Sequence, residues 1–160
     1  MISDPNNARS VQMSLIRAQD TKPEIRVRRA LHAAGLRYRL YPRDLPGKPD
    51  VVFRDSKVAL FVHGCFWHQH PDPNCTLSRM PKTRVDFWRP KLEGNRLRDQ
   101  KVRIILESQG WTVIEVWECE SKPRDLERLV VQLQRLNRRQ KVANRSPSKP
   151  SIKPGIRVGK

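Results

Sequence analysis

Three of the four histidines and one of the three cysteines of this chain fall in one stretch, Val62-His63-Gly64-Cys65-Phe66-Trp67-His68-Gln69-His70, and a second cysteine, Cys75, follows it closely. Imidazole and thiolate at this density are metal-ligand chemistry, and adjacent Phe-Trp in a polar setting is suited to stacking on a flat group. Cys65, His70 and Cys75 are spaced by four residues each, and Cys119 is the remaining cysteine. Together they make a Cys3His set, one of the tetrahedral N/S sets that hold structural Zn²⁺. The plainer account makes Cys119 a core thiol and the loop residues incidental. It leaves unexplained why a polar loop carries two cysteines.

A second group is Asp50 with His63 and His68. If the segments around Val51 and Val62 pair as a hairpin, Asp50 and Val62-His63 share one sheet end. A carboxylate and a backbone carbonyl at that end could hold Mg²⁺, which prefers oxygen ligands. A neighbouring neutral histidine could then accept a proton from an activated water. The alternative is a Pro-Asp turn and surface histidines. A third group is Phe66, Trp67 and Trp88. On the reading that adjacent side chains diverge, Phe66 and Trp67 cannot both enter one core, which leaves them free to stack on bases or wedge between base pairs. Packing over the cysteine loop, or of Trp88 between helix and sheet, is the bland reading. Glu24 reads as a first-turn helix carboxylate that could also reach a metal through water.

The charge balance narrows the partner. Lys and Arg number 33 against 16 Asp and Glu, a net charge of +17. Nine of those cations lie between Arg135 and Lys160, where no acid occurs, yet the rest still holds 24 basic against 16 acidic residues. Nucleic acid is the natural partner and an anionic membrane the weaker one. No apolar run reaches spanning length, and MISDPNNARS has no signal-peptide core, so a cytoplasmic, nucleoid-associated protein is expected. An odd cysteine count argues against a disulfide framework. No heptad seam is visible, so a monomer is expected.

These groups must be positioned by the elements around them. Residues 1–20 read as a polar N-terminal arm with a short amphipathic piece around Val11 to Ala18. Thr21 caps a helix with Pro23 in its first turn, Ile25, Ala30, Leu31 and Ala34 on its apolar side, and Gly35 at its end. Strands follow over Arg37–Tyr41, Asp50–Phe53 and Lys57–Val62, the last nearly all apolar and so central. A long polar helix spans Asp86–Gln109, with Pro90 and Gly94 as points of kinking or breakage. Trp111–Trp117 alternates as a fourth strand. A last helix opens at Ser121 and Pro123, with Leu126, Leu129, Val130, Leu133 and Leu136 on one side. Residues 141–160 turn to Ser, Pro, Lys and Arg, a disordered basic tail that is either a nonspecific DNA tether or inert. The result is one α/β domain over residues 21–140, a mixed central sheet flanked by helices.

Several stretches, taken together, resemble the very-short-patch repair (Vsr) mismatch endonucleases: Asp20-Thr21-Lys22-Pro23-Glu24, Leu45 to Asp50, Phe61 to His68, Pro81 to Trp88, Asn95-Arg96 with Arg98-Asp99, and Gly110-Trp111 through Cys119. The resemblance covers about Arg9 to Arg138. It implies a restriction-endonuclease-like core with a structural zinc site at Cys65, His70, Cys75 and Cys119. It implies a strand-specific, Mg²⁺-dependent nick 5′ to the thymine of a T:G mismatch, such as 5-methylcytosine deamination leaves, and other mismatch-repair proteins as partners. Asp50 and the Val62 carbonyl become the Mg²⁺ ligands and His68 the general base. His63 supports the phosphate or leaving group, Glu24 holds water on the metal, and Phe66, Trp67 and Trp88 form a wedge beside the mismatch. The His70-to-Cys75 spacing is longer than the family's tighter His-x-Cys, which admits Asp72 as a competing zinc ligand. Two rivals share much of this evidence. One is a restriction-type or general nicking endonuclease of the same fold, and the other is a noncatalytic zinc-containing DNA-binding protein.

Overall fold

The computed structural model describes residues 19–145; the amphipathic piece around Val11–Ala18 and residues 146–160 of the basic tail lie outside them. Helix α1 spans Lys22–Ala33, β1 Arg39–Leu40, β2 Val51–Phe53, β3 Val58–His63, α2 Cys65–His68, α3 Val85–Ser108, β4 Thr112–Trp117 and α4 Pro123–Arg145. Single 3₁₀ turns cover Thr76–Ser78 and Glu118–Glu120. The order matches the sequence reading, with the short α2 added where a loop was expected.

The sheet order is β1-β2-β3-β4. β1/β2 and β2/β3 are antiparallel, and β3/β4 is parallel across the α3 crossover. β3 is therefore internal, as its apolar run requires. Strand alternation sends side chains to two faces. Val51, Phe53, Val58, Leu60, Ile114 and Val116 meet Val27 and Leu31 of α1 and Leu126, Leu129 and Leu133 of α4. On the other face Val52 and Ala59 pack with Leu106 of α3, flanked by Phe61, Val102 and Val113. Three layers result, with α1 and α4 on one side and α3 on the other.

Local details follow from chemistry. Thr21 caps α1, its Oγ1 accepting from Glu24 N–H. Both α1 and α3 end on a glycine at positive φ, Gly35 (+70°) and Gly110 (+81°), where L side chains are strained. Leu36 N–H returns to Leu31 C=O, and Trp111 N–H to Leu106 C=O, the six-to-one bond of a Schellman end. Four expectations are corrected. The buried stripe of α1 is Glu24, Val27 and Leu31; of the expected apolar side Leu31 is buried and Ala30 packs partly against the core, while Ile25 and Ala34 are not buried. β1 shrinks to two residues because Tyr41 takes a left-handed φ of 45° and Pro42 has no N–H for a ladder. α3 runs as one 24-residue element through Pro90 and Gly94. α4 continues to Arg145, past the change of composition at Lys141. No helix among the described residues is long and apolar enough to cross a membrane.

Candidate active site and cysteine centre

A cleft of about 1040 Å³ opens at the sheet end where β3 and β4 finish. Asp50, His63, His68 and Asp99 line it, together with Glu24 of α1 and Trp67 of α2. The hairpin register, Val51 opposite Leu60, brings Asp50 to the last turn of β3. There Val62 N–H donates to Asp50 Oδ2 at 2.7 Å. The N–H and C=O of one strand residue point to the same edge, so the Val62 carbonyl is directed to the side that carries Asp50. Burial lifts the Asp50 carboxyl from 3.8 to about 6; the Val62 amide opposes the lift and Glu24 adds to it.

Glu24 is 4% exposed and accepts three hydrogen bonds at Oε2 but only one, from Thr21, at Oε1. Thr21 Oγ1 donates to Oε1 at 2.8 Å. Oε2 accepts from Asp20 N–H at 2.9 Å, Arg28 Nη2 at 2.9 Å and the Tyr41 hydroxyl at 2.5 Å. A buried carboxylate needs such compensation. Here Arg28 supplies the countercharge, and it also contacts the Tyr41 hydroxyl.

His63 ends β3 on the α3 side of the sheet and is 5% exposed. Burial first, then the neighbouring His68, lowers its pKa to about 4, so the ring is neutral at physiological pH. The His63 and His68 rings lie 4.1 Å apart. His68, the last residue of α2, places Nδ1 2.6 Å from Asp99 Oδ2 on α3. A carboxylate only accepts, so the proton sits on His68 Nδ1 and Nε2 is left as the basic atom. Asn95, one turn before Asp99, donates to Trp67 C=O at 3.0 Å and ties α2 to α3. Asp99 was not singled out from sequence beyond its place in the family pattern. A signal for it existed. The inward phase of α3 runs Leu92, Asn95, Asp99, Val102, Leu106, so two polar residues occupy positions where apolar ones are expected.

One sulfur from each of Cys65, Cys75 and Cys119 lies within 4.8 Å of the others. Cys65 opens α2, Cys75 precedes the 3₁₀ turn at Thr76–Ser78, and Cys119 follows β4. Burial raises the Cys65 thiol, and burial with bonds to Cys65 pushes Cys119 up to about 12. At Cys75 the Leu77 amide and the two other cysteines outweigh burial and lower it. Three converging thiols that resist joint ionisation are a donor set suited to a soft divalent cation. His70 stands outside this 4.8 Å group. Its Nδ1 accepts from Asp72 N–H at 3.2 Å, and its Nε2 lies 3.9 Å from Glu120. The Asp72 carboxylate accepts from Asn74 N–H at 2.8 Å and is exposed.

His63, His68 and Asp99 also offer three ligand atoms within 4.8 Å. The 2.6 Å contact reads more directly as a base held by its orienting carboxylate.

Phe66, Trp67 and Trp88 do meet, with centroids 5.0, 5.3 and 6.0 Å apart, all edge-to-face. The expected divergence of Phe66 and Trp67 is corrected here. They sit on a short helix where a loop was expected, and α2 brings both against Trp88 of α3. Phe87, not among the sequence candidates, joins at 5.2 Å from Trp88 and is 45% exposed. Lys91 Nζ hangs 5.7 to 5.9 Å from Trp67, Phe87 and Trp88. The cluster is a half-exposed aromatic platform with a cation above it.

Residues 2–75 match the family model described as DNA mismatch endonuclease Vsr. The type II nicking enzyme V.XorIIP of Xanthomonas oryzae pv. oryzae is 49% identical over 108 residues, 68% of this chain and 77% of that protein. The type II nicking enzyme V.NmeAIP of Neisseria meningitidis is 42% identical over 130 residues, 81% of this chain and 87% of its own length. The DNA mismatch endonuclease Vsr of Escherichia coli K12 is 39% identical over 117 residues, 73% of each chain.

Proposed function

This chain belongs to the Vsr family of DNA mismatch endonucleases, and from that premise we propose that it nicks one strand of double-stranded DNA 5′ to the thymine of a T:G mismatch left by 5-methylcytosine deamination. The observation that carries the reading is the meeting of Asp50, Val62, His63, His68 and Asp99 in one cleft beside an aromatic platform. The layered mixed sheet supports a restriction-endonuclease-like core.

Asp50 and the Val62 carbonyl are hard oxygen donors at one end of the sheet, which fits Mg²⁺. When bound there, Mg²⁺ supplies positive charge beside the scissile phosphate. His68 Nε2 takes the proton of the attacking water, and Asp99 stabilises the imidazolium that forms. His63, neutral and held against His68, stands on the other side as a hydrogen-bonding group for the phosphate or leaving oxygen. Glu24, fixed by Arg28, Tyr41 and Thr21, orients water at the edge of the cleft. The cysteine trio fits structural Zn²⁺ and would pin α2 to the end of β4; His70, outside the trio in this structure, is the proposed fourth ligand.

Phe66, Trp67 and Trp88, with Phe87 beside them, form the wedge. A T:G wobble pair is less well stacked than a Watson–Crick pair, so opening the duplex beside it costs less, and discrimination follows partly from deformability. Relatives named as type II nicking enzymes support a single-strand nick.

A strand-nicking assay tests this. Protein and Mg²⁺ meet duplexes with one T:G mismatch in methyltransferase contexts, beside matched controls and Asp50→Ala. Cleavage of the T strand alone, lost without Mg²⁺ and in the variant, is expected. Equal cleavage of matched duplexes would move the assignment to a nicking enzyme with another target.

A further inference from the structure

Away from the cleft, α1 and α4 leave a groove of about 970 Å³ between them. Its lining is apolar: Ala30 and Ala33 from α1, Leu126, Val130 and Val131 from α4. Val131 is 44% exposed, which the fold does not require. Arg26, Arg29 and Lys122 rim the groove against a single carboxylate, Glu127. Arg26 Nη1 donates to Ser121 Oγ at 3.3 Å and ties α1 to the turn that leads into α4.

We propose that this groove docks an amphipathic helix of a partner protein, with apolar side chains at i, i+3/i+4 and i+7 in the groove and carboxylates against the rim. Charge selects this occupant. Residues 1–18 contain one acid, Asp4, against Arg9 and Arg17, and residues 146–160 contain no acid, so neither chain end complements three cations. A second copy docked about a twofold axis would set like charges opposite each other. DNA would engage the rim and leave the alanine and valine surface uncovered. The small side chains of Ala30 and Ala33 let a helix approach closely. α1 also carries Glu24 to the cleft, so a helix held in the groove grips the element that positions that carboxylate.

The test uses the full chain, isotope-labelled, with two synthetic helical peptides of about 16 residues. Both carry leucines at the groove spacing; one is flanked by glutamates and the other by lysines. The glutamate peptide should shift the amides of Ala30, Ala33 and Val131. It should bind about tenfold tighter than the lysine peptide, the worth of three exposed ion pairs. Val131→Asp should abolish this binding, and Arg29→Glu should narrow the preference; both variants keep the wild-type nicking rate without peptide. Equal binding of the two peptides, or shifts elsewhere, overturns the proposal. So does duplex DNA shifting the same amides, a need to delete residues 1–18 before the peptide binds, or concentration-dependent self-association blocked by Val131→Asp.

Discussion

Asp99→Asn removes one charge from the cleft and keeps the side-chain shape. Asp99 Oδ2 lies 2.6 Å from His68 Nδ1, with 26% and 29% of the two side chains exposed. A hydrogen bond to a charged group is worth roughly 1.5–3 kcal/mol, and partial exposure favours the lower end. That energy acts mainly after His68 has taken the proton, so it belongs to the transition state rather than to DNA binding. The expected loss is about tenfold to thirtyfold in the single-turnover nicking rate. An asparagine that turns its NH₂ toward Nδ1 would favour the wrong tautomer and deepen the loss. The assay is pre-mixed enzyme and T:G duplex, started with Mg²⁺ and read on a denaturing gel, with DNA affinity measured separately without Mg²⁺. Unchanged affinity and a slower nick are expected. A rate within about twofold of wild type, on a variant that binds normally, would refute the assignment of His68 as a base held by Asp99.

Asp50→Asn should stabilise the metal-free protein at pH 7.5 while abolishing nicking. The Asp50 carboxyl is raised from 3.8 to about 6 by burial, with Glu24 adding to it. The native state then holds that proton more tightly than the unfolded chain. The stability it contributes is fully present below pH 4 and is lost as pH rises through about 6, a cost of at most about 3 kcal/mol at neutral pH. Thermal melts of both proteins at pH 4 and pH 7.5 check the sign, and Mg²⁺ should raise the melting temperature of the wild type only. Cys119→Ser should lower bound zinc, measured by elemental analysis, from about one per chain toward none and lower the melting temperature. Trp67→Ala should weaken binding to a T:G duplex about tenfold to a hundredfold. It should weaken matched binding less, which a competition titration reads directly.

The sequence made the elements legible where pattern and punctuation agree. Val58 to Val62 is an unbroken apolar run and became the internal strand; Thr21 and Gly35 bracket α1 where capping chemistry places them. The hairpin that joins Asp50 to Val62 followed from two short runs around a turn. What stayed hidden depended on phase and on long-range contacts. The burial of Glu24 follows from partners as distant in sequence as Tyr41, and no local rule announces an Arg28 countercharge. Asp99 meets His68 across 31 residues of chain, and only the polar gap in the α3 stripe hints at it. The meeting of Phe66 and Trp67 is not legible in a segment that reads as a loop, because it depends on a four-residue helix that brings both rings to Trp88. The three cysteines were grouped correctly from their number; the position of His70 beside Asp72 depends on loop geometry that spacing does not specify.

Consecutive residues of β3 and α2 serve different sites: Val62 beside Asp50, His63 in the cleft, Cys65 in the sulfur cluster, Trp67 in the platform and His68 on Asp99. An inserted or deleted residue would flip side chains across the sheet within β3, or rotate everything downstream by about 100° within α2. Either change breaks several of these contacts at once, so this segment has a fixed length. Cys75 arrives differently, through an exposed stretch with its own Asp72–Asn74 turn, and needs only to present one sulfur. Length variation among related chains is therefore expected to gather between His70 and Cys75 and to be absent from Val62 to His68. Chimeras should exchange the seven residues Val62 to His68 as a single cassette.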